Sequence, residues 1–135
     1  MGHWRMALVV LIPLTLLAEP TFDPDKDVPL SVASGVLSLT VPEGIHLKAR
    51  MFKVALASRG TLRLGHLPPP TDQDEAGDPI WRGTVQVPLA GHNLEDPAQL
   101  VITFQPCTEG RDGICFLPVK RPLAVPRGEI PESAP

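Results

Sequence analysis

The sequence predicts an all-β chain built as a sandwich of antiparallel strands, and three observations carry that expectation. Seventeen prolines in 135 residues leave little room for long helices, because proline removes a backbone donor and breaks helix interiors. Several short runs alternate apolar and polar residues with the period of a half-buried strand. Those runs are separated by Pro, Gly or Asp at the intervals expected of a sandwich.

The elements follow in order. "GVLSLTVP" puts Leu37, Leu39 and Val41 on one face, and "GTVQVPL" does the same with Val85, Val87 and Leu89. "QLVITFQP" is richer still in strand-forming residues, with Leu100, Ile102 and Phe104 on one side. One stretch resists the pattern. "GIHLKARMFKVALASRG" alternates through Ile45, Leu47, Ala49 and Met51 as a strand would. It also sets Ile45, Ala49, Phe52 and Leu56 at helical spacing, in a composition that favours helix. Periodicity leaves it open. Trp81 reads as core or edge packing.

The ends differ from the middle. The first residues carry Arg5, then an apolar run from Met6 to Leu17, then Ala18 before Glu19. That run is short of the ~20 residues a bilayer span needs, and its layout reads as a secretory signal over 1–18. No cysteine follows it to suggest a lipid anchor. Residues 19–27 and 126–135 are rich in proline and acid and read as flexible segments, leaving one domain over 28–125. The net charge is −3 with no basic cluster, which argues against nucleic acid as a partner.

The two cysteines stand in "FQPCTEGRDGICF", Cys107 and Cys115, on either shoulder of a glycine-bearing loop. In an exported chain such a pair is normally oxidised, and a hairpin can bring its Cα atoms within bridging distance. Closing a ring this small stabilises a fold by about 2.6 kcal/mol in the chain-entropy account. Glu109, Arg111 and Asp112 nearly cancel in charge, so they do not strongly depress a thiol pKa. Taken alone, these residues favour a structural bridge over a redox couple.

Three stretches, in order, resemble the N-terminal periplasmic domain of the DsbD family of thiol:disulfide interchange proteins: "PEGIHLKARMFKV", "IWRGTVQVPL", and "LVITFQPC" continuing through "GICFLPVKRPL". The resemblance runs from about Pro42 to Val125. It implies an immunoglobulin-like β-sandwich whose cysteine pair is an active site, here Cys107 and Cys115. By thiolate attack through a mixed disulfide, such a pair passes electrons between thioredoxin-like domains and oxidised periplasmic proteins such as disulfide isomerases. It also turns "GIHLKARMFKV" towards strand. No cofactor is implied.

The chain departs from the family in ways that bear on the site. It has no tyrosine; His46 and Lys48 stand where the family has aromatic residues, and Phe116 follows Cys115. The cysteine loop is longer than usual. The family's cysteine-capping loop matches "TDQDEAGDP", which keeps Asp74 and Glu75 but has Ala76 where an aromatic ring normally stands. The family's membrane electron channel has no counterpart in this sequence, so a separate membrane protein is the expected electron donor.

His46, His66 and His92 stand singly, without the short spacings that hold zinc, and no metal site is expected. His46 is the exception of interest: it is either a half-exposed strand histidine or an imidazole near a cysteine that stabilises a thiolate. Asp74, Glu75 and Phe116 are the other candidate supporting residues. Asp74 and Glu75 also read as ordinary loop solvation.

Overall fold

The computed structural model describes residues 2, 21–110 and 112–133. The leader expected over 1–18, apart from Gly2, lies outside the described residues, as does Arg111. The described residues form eleven strands and two short 3-10 turns, at Ala49–Met51 and Arg127–Glu129.

One four-stranded sheet is ordered β1-β2-β8-β5, from β1 (Leu30–Ala33), β2 (Val36–Thr40), β8 (Thr84–Ala90) and β5 (Arg63–Leu64). A second is ordered β10-β3-β7-β6, from β10 (Pro106–Thr108), β3 (Ile45–Lys48), β7 (Pro79–Trp81) and β6 (Asp72–Gln73). A three-stranded sheet, β11-β9-β4, joins β11 (Val119–Val125), β9 (Ala98–Phe104) and β4 (Lys53–Leu56). All strand pairs are antiparallel.

The alternation in the sequence fills the core as expected. Leu37 and Leu39 of β2, Val85, Val87 and Leu89 of β8, and Leu100, Ile102 and Phe104 of β9 belong to one buried cluster. β1 and β2 meet through Ser34 and Gly35, both at positive φ, the geometry of a tight two-residue hairpin turn. Trp81 is buried, donates its indole N–H to Pro68 O and meets Phe52 edge-on.

The ambiguous stretch is not one element. It is β3, a 3-10 turn and β4, so both apolar spacings were partly real: alternation within each strand, and a turn that shifts the phase between them. The strands also join different sheets.

The segments expected as flexible tails are docked where they are described. Phe22 packs against the core. Beyond Val125, Ile130 is 4 % exposed. Gly35 N–H donates to Glu129 O, Gly91 N–H to Pro131 O, and Ser34 N–H to the Glu129 carboxylate. Proline content hid this, because an apolar anchor and a few backbone bonds suffice to fix a short segment without strand periodicity.

Candidate functional site

β9 and β10 are one run of chain broken at Gln105. Residues up to Phe104 pair with β4 and β11, and residues from Pro106 pair with β3. Gln105 holds the junction: its carbonyl accepts from Lys48 N–H and its side-chain amide donates to Phe116 O. Changing sheets at this point carries Cys107 to a position directly opposite His46.

The return chain completes a small ladder. Cys107 and Cys115 face each other as an isolated antiparallel pair with a Cα–Cα distance of 4.0 Å, and they are bonded as a disulfide. The bonds Thr108 N–H to Ile114 O and Phe116 N–H to Pro106 O flank them. That makes them a non-hydrogen-bonded pair, the kind in which side chains approach most closely. Ile114 N–H also donates to Thr108 Oγ1, and Gly113 N–H to Gly110 O. A Cβ on Gly113 would stand 2.4 Å from Thr108 O, so only glycine fits where the loop crosses its own strand.

The period of two then builds the site. Residues opposite one another share a face, as do residues two apart. His46 and Lys48 of β3, Cys107 and Glu109 on the other side, and Arg82 just past β7 meet above one surface. The β6–β7 hairpin folds over it. A cavity of about 400 Å³ lies between the cap and this surface, lined by His46, Cys107 and Cys115 together with Glu75 and Ala76 of the cap. Cys107 is 2 % exposed, while Cys115 stands on the surface. Exposed Ile114 and Leu117 flank it.

Ion pairs hold the parts together. Arg82 grips Glu109 with two hydrogen bonds, Nε to Oε1 at 2.6 Å and a second guanidinium nitrogen to Oε2 at 3.1 Å. It also donates to Asp72 at 2.9 Å. The Arg82 guanidinium keeps the Glu109 carboxyl below its ordinary range against some desolvation, with His46 adding a smaller push in the same direction. Glu109 and Asp72 in turn raise the already high Arg82 pKa.

Asp74 has two tasks. Its Oδ1 accepts the N–H groups of Ala76 and Asp78, folding the cap turn, while its Oδ2 accepts from Lys48. The Lys48 ammonium also bonds Asp78 at 3.2 Å. Hydrogen bonding from Lys48 is the main reason the Asp74 carboxyl is lowered. The same bond raises Lys48.

The structure therefore gathers most of the sequence candidates. Cys107 and Cys115 are bonded, and His46 is beside Cys107 and 6 % exposed, rather than a half-exposed strand histidine. Glu75 lines the cavity. Asp74, read as loop solvation or site support, is an internal fastener of the cap. Phe116 does not line the cavity; it meets Phe22 edge-on at 5.5 Å. Sequence reasoning missed Arg82 and treated Glu109 only as local charge. The signal was their register: Glu109 lies two residues from Cys107, and Arg82 follows Trp81, which pairs with Leu47 next to His46. His66 is exposed, and His92 is occupied by Glu132 at 3.1 Å.

Fold and site together define a class: an antiparallel β-sandwich with one disulfide under a hairpin cap. No protein-family model matches the chain, and no curated protein matches it significantly. Solved structures do. The chain is similar to the N-terminal domain of DsbD from Neisseria meningitidis, seen in a crystal structure of its reduced form. The identity is 21 %, with 78 % of this chain and 89 % of that one covered, at a TM-score of 0.55. It is also similar to a chain in the complex between the DsbD N-terminal and PilB N-terminal domains of the same organism. There the identity is 18 %, with 79 % and 88 % covered and a TM-score of 0.52. The chain thus has the immunoglobulin-like fold of the DsbD N-terminal domain. No helix among the described residues is long and apolar enough to cross a membrane.

Proposed function

We propose that this chain is a thiol–disulfide exchange domain working through Cys107–Cys115. One observation carries the reading: the two bonded residues are unequal, Cys115 on the surface and Cys107 buried at the cavity wall. Exchange requires one sulfur that a partner thiolate can reach and one that can leave. A bridge serving only as a staple needs no such asymmetry. The backbone ladder around the pair would also keep the hairpin closed after the S–S bond opens.

The electron bookkeeping is simple. A thiolate of a reduced thioredoxin-like partner attacks Cys115 Sγ; the Cys107–Cys115 bond breaks and its electron pair stays on Cys107. The partner's second thiolate then attacks its own sulfur in the mixed disulfide and releases Cys115. The partner leaves oxidised and the domain holds two thiols. Run backwards on an oxidised protein, the same steps pass the electrons on. With a cleaved leader over 1–18, this exchange would take place in the periplasm, with electrons supplied from a membrane electron-transfer protein. The fold shared with a DsbD domain seen in complex with a PilB domain supports a thioredoxin-like partner.

The test is covalent trapping. The Cys107→Ser variant, mixed with a thioredoxin-like protein carrying one activated cysteine, should form a mixed disulfide at Cys115 that mass analysis identifies. A Cys115 that stays unreacted under conditions where a small thiol is modified would leave the bond as a staple.

A further inference from the structure

We propose that His46 is the proton donor and acceptor for Cys107, a role that rests on the exchange reading above. Its side chain lies on the same face as Cys107, directly across the β3–β10 pairing, and both line the cavity under the cap.

His46 is buried at 6 % exposure without serving the fold as a hydrogen-bonding group. Its Nδ1 lies 3.3 Å from Glu109 Oε1, close enough for charge contact, yet lacks the alignment of a hydrogen bond and has no other partner. A buried polar nitrogen left in this state costs the fold its desolvation, and a catalytic role is one reason a fold retains such a group.

Cys107 supplies that use. When a partner thiolate takes Cys115, the electron pair arrives on a sulfur almost sealed from water. The charges around it are unfavourable to a thiolate. From the cap come Asp74 and Glu75, from the loop after β10 comes Glu109, and from the end of β7 comes Arg82. Arg82 is committed to Glu109 and Asp72, and Lys48, on the same strand as His46, is committed to Asp74 and Asp78. No uncommitted cation faces the leaving sulfur among these groups. A proton must reach it, and His46 stands directly opposite, with an imidazole that can give or take one.

Glu109 completes the arrangement. Held ionised by Arg82, it balances an imidazolium before transfer. In the forward step His46 gives its proton to Cys107 Sγ as the disulfide opens, and regains one from solvent through the cavity. In the reverse step it takes the proton as Cys107 re-forms the bond. The donated proton and the arriving electron pair leave Cys107 neutral.

The experiment measures reduction of the oxidised domain by dithiothreitol from about pH 5 to 9, with each rate divided by the concentration of dithiothreitol thiolate. For the unmodified chain this corrected rate should fall as pH rises through the imidazole range. In His46→Gln the fall should vanish, and the acid-side rate should drop on the order of 10²-fold, the scale of general acid catalysis. Glu109→Gln should keep the fall but move it to lower pH, and it decides the matter if His46→Gln does not fold. A His46→Gln profile matching the parent, or a Glu109→Gln step that does not move, overturns the proposal. Failure of the parent disulfide to be reduced at all is a different result, which removes the exchange reading and this role with it.

Discussion

Cys107 is 2 % exposed, whereas Cys115, bonded to it across a 4.0 Å Cα–Cα gap, stands at the surface. The inequality arises from position. Cys107 lies within β10, between β3 and the returning chain, while Cys115 has no strand beyond it among the described residues. A thiol's reactivity follows its access and its thiolate fraction. After Cys107→Ser, the Cys115 thiol should therefore alkylate roughly tenfold or more faster than Cys107 does after Cys115→Ser. Rates with iodoacetamide give the comparison, and equal rates would remove the asymmetry on which the exchange reading rests.

The ion pairs that fasten the cap should make the domain acid-sensitive. Asp74 is lowered chiefly by Lys48, Glu109 by Arg82, and Asp72 by the Gln73 N–H and then Arg82. A carboxyl whose folded pKa is depressed stabilises the fold above its unfolded pKa and loses that contribution as pH falls through the folded value. The ordinary values here are 3.8 for the aspartates and 4.5 for Glu109. Melting temperature should thus hold above this range and decline below it. Lys48→Met should flatten the Asp74 part of the decline and, by freeing the cap, speed reduction of the disulfide by small thiols. Thermal melts across acid pH check the first, and an unchanged acid profile in Lys48→Met would show that the clamp contributes nothing.

The C-terminal segment is part of the domain. Ile130 is buried, and Glu129 and Pro131 carbonyls accept from Gly35 and Gly91. A Cβ on Gly35 would stand 2.8 Å from the Pro131 ring, so the hairpin turn and the segment fit each other closely. Ile130→Ala should cost about 2–5 kcal/mol, the range for emptying a buried aliphatic site. Denaturant unfolding measures it. No loss would mean that residues after Val125 are a tail after all.

Much of this fold was legible because its information is local. Alternation at Leu37, Leu39 and Val41, or at Leu100, Ile102 and Phe104, names the buried face of a strand whatever its neighbours are. The docked ends were not legible, since Ile130 and Phe22 are single anchors with no period to reveal them. The stretch from Ile45 to Leu56 carried two overlapping periods because a 3-10 turn separates two strands of different sheets.

The site was legible in its chemistry and hidden in its assembly. The cysteines and His46 stand out as residue types. Their supports do not, because Arg82 reaches Glu109 across 27 positions and Lys48 reaches Asp74 across 26. Those contacts depend on which strands pair and in which register, and a break at Gln105 sets that register for Cys107. Ala76, singled out in the sequence for its small side chain, lines the cavity with Asp74 and Glu75.

The reduction potential of Cys107–Cys115 tests the central claim most directly. Structural bridges in exported proteins lie below about −300 mV, and thioredoxin-like exchange partners at roughly −270 to −120 mV. On the exchange reading, an exposed Cys115 and a small ring worth about 2.6 kcal/mol should put this bond with the exchangers, in a fold that the ladder around Thr108 and Ile114 should preserve on reduction. Equilibration in graded thiol buffers, with alkylation and mass analysis of each state and circular dichroism of the reduced form, gives both answers. The account predicts a midpoint in the higher window with an unchanged β spectrum. A bond still closed at −300 mV, or a domain that unfolds when it opens, would contradict it.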